Sequence, residues 1–157
     1  MGLYSGSALG VSGPAAGTLA MALAPFLAPG EPIMANYIPV LESPLFLVGL
    51  VVFGVGTAVL VLRSLWAAPR LGLQYDGRGA LDFGLSSAAV ATAVALLCFA
   101  WSWAVLPTTL HGKAYYEILF WGGGHALQFT WTLMMLVAWL WLSSACGAHL
   151  VLRPRVT

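Results

Sequence analysis

The sequence predicts an all-α fold: a polytopic bundle of transmembrane helices, with three long spans and one shorter N-terminal span. Three observations predict it. Of the 157 residues, 61% are hydrophobic and 7% are charged, where a soluble domain carries about 25% charged residues. The mean hydropathy is +0.92. The few charges are also segregated, leaving uninterrupted stretches long enough to cross a bilayer. Six Lys+Arg and five Asp+Glu cannot cover a water-facing surface over this length. That excludes a soluble enzyme and a disordered tail. The formal net charge of +1 gives no reason to expect a polyanion, so no nucleic-acid partner is expected.

The spans follow from the charge-free stretches, since a hydrocarbon core about 30 Å thick needs about 20 apolar residues. Residues 1–30 carry no charge but are rich in Gly, Ser and Pro, and residues 13–29 read as a short, kinked span. The absence of Lys and Arg from this segment also removes the basic n-region of a secretory signal. Ser43 to Leu62 is charge-free for 20 residues and closes on Arg63 and Trp66, giving a second span over 44–63. Phe83 to Leu110 is charge-free for 28 residues, with Asp82 before it and Pro107 near its end, giving a third over 83–106. Ile118 to Leu152 is charge-free for 35 residues. That exceeds one straight span, so a fourth helix over 117–144 is expected to stop near Ser143–Ser144 or Gly147. The chain reads as a single membrane domain over residues 1–157, with lipid as its solvent.

Lys and Arg set the orientation. Arg63, Arg70 and Arg78 lie in segment 63–82, and Arg153 and Arg155 lie after the fourth span. Segment 30–43 has none and segment 107–117 has only Lys113. The two rich segments fall on one side of an alternating topology and are read as cytoplasmic. The fourth span therefore enters from the outer side.

Most of the chemistry the chain can offer sits in that span, between Tyr115 and Trp141. His125 lies about two turns inside it. An ionisable group within a membrane is costly and normally faces the bundle interior, and neutral imidazole is the commonest protein ligand for transition metals. Helical spacing lines up Trp121, His125, Gln128 or Phe129, Thr132 and Trp139 on one stripe. Gly122, Gly123 and Gly124 strip side chains from the preceding turn, so that a neighbouring helix or a bulky cofactor can approach the backbone. Each feature also has a plain packing explanation. His125 can bond a hydroxyl across a helix interface, the glycines can be a packing notch, and Gln128 can bond a neighbouring helix. Trp66, Trp101, Trp103 and Trp141 fit as anchors near span ends. Spacing alone leaves these alternatives open.

Further ligands are scarce. His149 follows His125 by 24 residues, too far along a helix to share a metal. His111 belongs to the outer loop and is two turns too shallow. Glu117 and Asp82 stand at span ends, which argues against an ion-coupled transporter. Cys98 and Cys146 lie in apolar runs without metal-type spacing and read as packing residues.

The run FWGGGHALQF at Phe120–Phe129 resembles the sixth transmembrane helix of the catalytic subunit of heme-copper oxidases and nitric oxide reductases. That helix typically reads Trp, a short Gly-containing stretch, then a His that ligates the non-haem metal of a binuclear centre. Segment NYIPVLESPLF at Asn36–Phe46, with the span after it, resembles the family's fourth helix and preceding loop, and Asp82–Pro107 its fifth helix. The resemblance covers about 120 of the 157 residues, with its specificity in Trp121 to His125. The direction of the fourth span, reached from charge alone, agrees with the family's sixth helix, whose ligand lies towards the outer side.

The resemblance implies that His125 is a nitrogen ligand to copper or non-haem iron. Trp121 and Gly123 are implied as cofactor contacts: Trp121 packs beside the ligand, and the glycines admit a haem face or a partner helix. Haem and metal are thus the expected cofactors, with no catalytic residue assigned in this chain. The sequence departs from the family after the His. Many oxidases read Pro-Glu-Val-Tyr there, with the Tyr joined covalently to a second His ligand, whereas this chain has Ala126, Leu127, Gln128 and Phe129. The departure fits a branch whose Tyr comes from elsewhere or is not used. With three His in all, the chain cannot complete a binuclear centre alone, so the remaining ligands are expected from other transmembrane subunits or the rest of a longer chain. The expectation is therefore part of a terminal oxidase or NO reductase in a bacterial inner (cytoplasmic) membrane. The alternative is a non-catalytic structural or assembly subunit of a membrane complex.

Overall fold

The computed structural model of the chain describes residues 8–67 and 77–148. Arg70, Arg153, Arg155 and His149, used above, lie outside them. Four helices dominate: α1 (Ala8–Leu27), α2 (Pro44–Ala67), α3 (Gly77–Val105) and α4 (Gly112–Ala145), with a short hairpin of β1 (Glu31–Ile33) and β2 (Val40–Glu42) between α1 and α2. Helices α2, α3 and α4 are long and apolar enough to cross a membrane, and α1 carries a shorter apolar stretch, Val11–Leu27. The fold is the all-α transmembrane bundle that composition predicts, and the protein is an integral membrane protein. The hairpin is an element the sequence reading treats only as a loop.

Helices α1 and α2 pack antiparallel, with their backbones nearly in contact. Gly13 and Gly17 form a G-x-x-x-G step on α1, facing Gly49, Phe53 and Gly56 on α2. A Cβ at Gly17 would stand 2.5 Å from the Phe53 nitrogen and 2.6 Å from the Gly49 oxygen. Between apolar helices in lipid there is no hydrophobic drive to associate, so close backbone approach through small residues supplies the dispersion contact instead. Pro14 and Pro25 are both accommodated within α1. The Thr18 hydroxyl donates to the Pro14 carbonyl at 2.8 Å, while the carbonyls the two prolines leave without an N–H partner are those of Gly10 and Met21.

The second pair, α3 and α4, is also antiparallel. Ala88, Thr92, Ala95 and Phe99 recur at three- and four-residue steps on α3, and Ala88 and Ala95 are buried. The opposing face of α4 presents Phe120, Gly123 and Thr130, all buried. Gly84 at the start of the interface sits under Val137, and Gly123 near its other end sits under the Phe99 ring. Midway, Thr92 and Thr130 are 3.2 Å apart. Thr92 spends its proton on the Ala88 carbonyl at 2.8 Å, so Thr130 is the donor between helices.

Helix ends obey local chemistry. Pro44 opens α2 at the position where a missing N–H costs nothing, and the Ser43 carbonyl accepts from Leu47 at 3.0 Å. Helix α3 stops at Val105, two residues before Pro107. Helix α4 ends on a Schellman turn: Gly147 takes φ 75°, its N–H reaches the Ser144 carbonyl at 3.1 Å, and the Ala148 N–H reaches the Ser143 carbonyl at 3.0 Å. The stop expected near Ser143–Gly147 is where the helix ends. At 34 residues, α4 is about 50 Å long, more than a hydrocarbon core, so its ends project or the helix tilts.

The segments expected on the outer side do meet. Glu42 of the hairpin lines a cavity of about 520 Å³ together with Trp103, His111, Tyr115 and Tyr116. Glu31 and Glu42, directly opposite each other across the strands, also adjoin Gly112 and Lys113 at the head of α4.

Candidate site at His125

The site is built from α4 and the tip of the β1–β2 hairpin. From Glu31 and Glu42, beside Gly112 and Lys113, the hairpin reaches down to place Tyr37 against Gly124 and His125. Gly124 lies 12 residues beyond Gly112, about 18 Å along the helix. Strand β1 ends at Ile33, and a bend over residues 36–38 carries Tyr37 to that level. The hairpin tip thus lies alongside α4 at the level of Gly124 and His125. Segment 30–43 is therefore more than the outer loop of the sequence reading. Non-helical backbone at membrane depth is tolerated where protein or a water-lined cavity surrounds it.

The Tyr37 hydroxyl stands 2.9 Å from His125 Nδ1 and 3.0 Å from Nε2. Nδ1 is also 2.8 Å from the Trp121 carbonyl one turn back. A carbonyl only accepts, so in the neutral ring the proton sits on Nδ1 and is donated to Trp121, leaving the lone pair on Nε2. The Tyr37 hydroxyl, at nearly equal distances from the two ring nitrogens, lies over the ring face and is the polar group within reach of both. Aromatic packing holds the ring on both sides: Tyr37 lies 5.1 Å away between ring centroids and Trp121 5.0 Å away. Trp121 therefore packs beside His125, as expected.

Of the two occupants considered for the glycine notch, a neighbouring helix is the one found at Gly123. A Cβ at Gly123 would fall inside the Phe99 ring of α3, one at Gly124 would fall inside the Tyr37 ring, and Gly122 faces the Cβ of Cys98. The Gly123 surface is thus occupied within the chain itself. Replacing Gly123 with Leu should force Phe99 out and open the α3–α4 pair. The expected loss is about 1–3 kcal/mol or more, read as a lower unfolding temperature in detergent; an unchanged value would show that the notch is idle.

Trp121, His125, Gln128, Phe129, Thr132 and Trp139 are all exposed, so the stripe turns away from α1, α2 and α3. The Thr132 hydroxyl is satisfied by the Gln128 carbonyl at 2.9 Å. His111 stands at the N-terminus of α4, about 21 Å from His125 along the helix, and does not share its site. Among the described residues no three of His, Cys, Asp or Glu gather as a metal-binding group. The donor chemistry here is one imidazole, oriented by a backbone carbonyl as metal-ligating histidines usually are. It fits one ligand of a centre and not a complete set.

Tyr37 is the site residue the spacing analysis missed. A signal was present: Glu31 and Glu42 bracket ten charge-free residues, Pro32 to Leu41. That length is too short to span and suits a segment that folds back against a helix.

The chain is similar to a protein of Rickettsia prowazekii (strain Madrid E) described as "Uncharacterized protein RP382", with 30% identity over 130 residues, 78% of this chain and 24% of the relative. The chain spans about a quarter of that relative's length. No family model matches, and no solved structure matches.

Proposed function

We propose that this chain is part of a membrane-bound heme-copper-type terminal oxidase or NO reductase, in which His125 supplies one imidazole to copper or non-haem iron. The observation that carries the reading is the state of His125 in a transmembrane helix. Its Nδ1–H is anchored on the Trp121 carbonyl, and its Nε2 lone pair is on a ring exposed along an otherwise unfilled helix face. Polar groups at membrane depth need protein or water around them, so further helices belong on this face, from other subunits or the rest of a longer chain. They would bring the remaining ligands and the haem. A metal held there would supply redox chemistry towards O2 or NO. This chain holds and orients the imidazole, and Trp121 packs its flank. A relative in a bacterium supports a bacterial inner membrane as the location.

One observation favours the alternative, a non-catalytic packing or assembly subunit. The Tyr37 hydroxyl gives the His125 ring a polar partner without any metal. Counting copper, iron and haem in the intact purified assembly separates the two. The oxidoreductase reading expects haem and one copper or non-haem iron per chain; an assembly free of both leaves the packing subunit.

A further inference from the structure

We propose that the cavity at the head of α4 binds a methylated ammonium group, the shared chemistry of a phosphatidylcholine headgroup and of free quaternary amines; the site is separate from His125 and does not rest on its reading. The cavity is about 520 Å³, within the range of about 300–1,000 Å³ typical of small-molecule sites. Three parts of the chain build it. Glu42 comes from the end of β2, Trp103 from the last turn of α3, and His111, Tyr115 and Tyr116 from the start of α4. This is the end of the bundle expected on the outer side, where Trp and Tyr normally sit at headgroup level.

Charge and wall chemistry fix the ligand class. With His111 neutral, Glu42 carries the only formal charge among the lining residues. Lys113 pairs with Glu117 at 3.6 Å, and among the described residues no ion pair reaches Glu42. Glu31 stands directly opposite it across the strands, and like charges so placed repel. A cation in the cavity offsets both. The helix ends here carry dipoles of opposite sign, the carbonyl end of α3 and the N–H end of α4, so the carboxylate decides the sign of the site. The wall does not suit a bare metal ion. Hard cations are surrounded by oxygen ligands, and among the described residues no three of His, Cys, Asp or Glu gather. Aromatic rings beside one carboxylate instead suit a cation that has no hydrogen bonds to donate and is held by ring quadrupoles. A methylated ammonium has that form.

The test is equilibrium binding of labelled choline to the intact assembly in phosphatidylglycerol nanodiscs, alongside native mass spectrometry of the phosphatidylcholine retained after delipidation. Saturable choline binding assigns a free amine, and retention of phosphatidylcholine over phosphatidylglycerol assigns a lipid headgroup. In either case the wall should control it. Glu42→Gln keeps the shape and removes the charge, and should weaken binding about tenfold or more. Trp103→Leu should weaken it about two- to thirtyfold, and Trp103→Phe should restore part of the loss. Both residues are exposed, so neither change threatens the fold. Neohexanol, the uncharged carbon isostere of choline, should fail to compete at matched concentration. The proposal is overturned by the absence of both choline binding and phosphatidylcholine retention, by binding unchanged in Glu42→Gln or Trp103→Leu, or by equal competition from neohexanol.

Discussion

If His125 is a metal ligand as proposed, alanine at position 125 should strip the copper or non-haem iron from the intact assembly while helix content and membrane insertion stay at wild-type levels. The separation follows from where the ring sits. His125 is exposed on α4, and its contacts are the Tyr37 hydroxyl, the Trp121 carbonyl and two aromatic neighbours. None of these joins α4 to α3, whose contact runs through Phe99 against Gly123 and Val137 against Gly84. Losing even an outer partner of a metal ligand costs about 10–100-fold in affinity, and losing the ligand itself should cost at least as much. Metal analysis and circular dichroism on the same preparation check both halves. A metal content equal to wild type rejects the ligand role.

Leucine at position 17 drives α1 away from α2, the largest structural effect expected of a single substitution here. Gly17 faces backbone, the Phe53 nitrogen at 2.5 Å and the Gly49 oxygen at 2.6 Å from a built Cβ. Backbone cannot swing aside as a flexible side chain can, so the helices must separate and lose the close contact that holds them. A cost of about 3 kcal/mol or more is expected, at the upper end of overpacking effects. Gly54→Leu is the control: it lies on α2 with nothing within 4 Å and should leave stability unchanged. Equal unfolding temperatures for both variants in detergent would contradict the packing described.

Much of this architecture is written in one-dimensional signals. Charge-free length marks α2, α3 and α4 because lipid punishes charge in every segment that crosses it. The stop after α4 follows from Gly147, which adopts the left-handed turn a Schellman cap needs. Helix ends are less legible. Helix α3 begins at Gly77 where charge-free counting starts at Phe83, since a helix continues through charged turns at the membrane surface. The Gly13–Gly17 step is not singled out within the span read over residues 13–29, and its partner on α2 depends on three-dimensional register. The site divides in the same way. His125 and Trp121 sit one turn apart on a single helix, so periodicity alone pairs them. Tyr37 reaches His125 from a different segment, and no local rule joins positions 88 residues apart. Gly123 illustrates the converse. A notch is readable in sequence, but its occupant, Phe99, is set by how α3 lies against α4.

The most direct measurement is a reduced-minus-oxidised optical spectrum, with and without carbon monoxide, of the gently solubilised assembly that contains this chain. A haem band that shifts with carbon monoxide in the wild type, and whose carbon monoxide response changes in His125→Ala, is the result predicted for a chain at a haem–metal centre. A spectrum without haem features from the intact assembly would contradict that account and leave the chain a packing subunit.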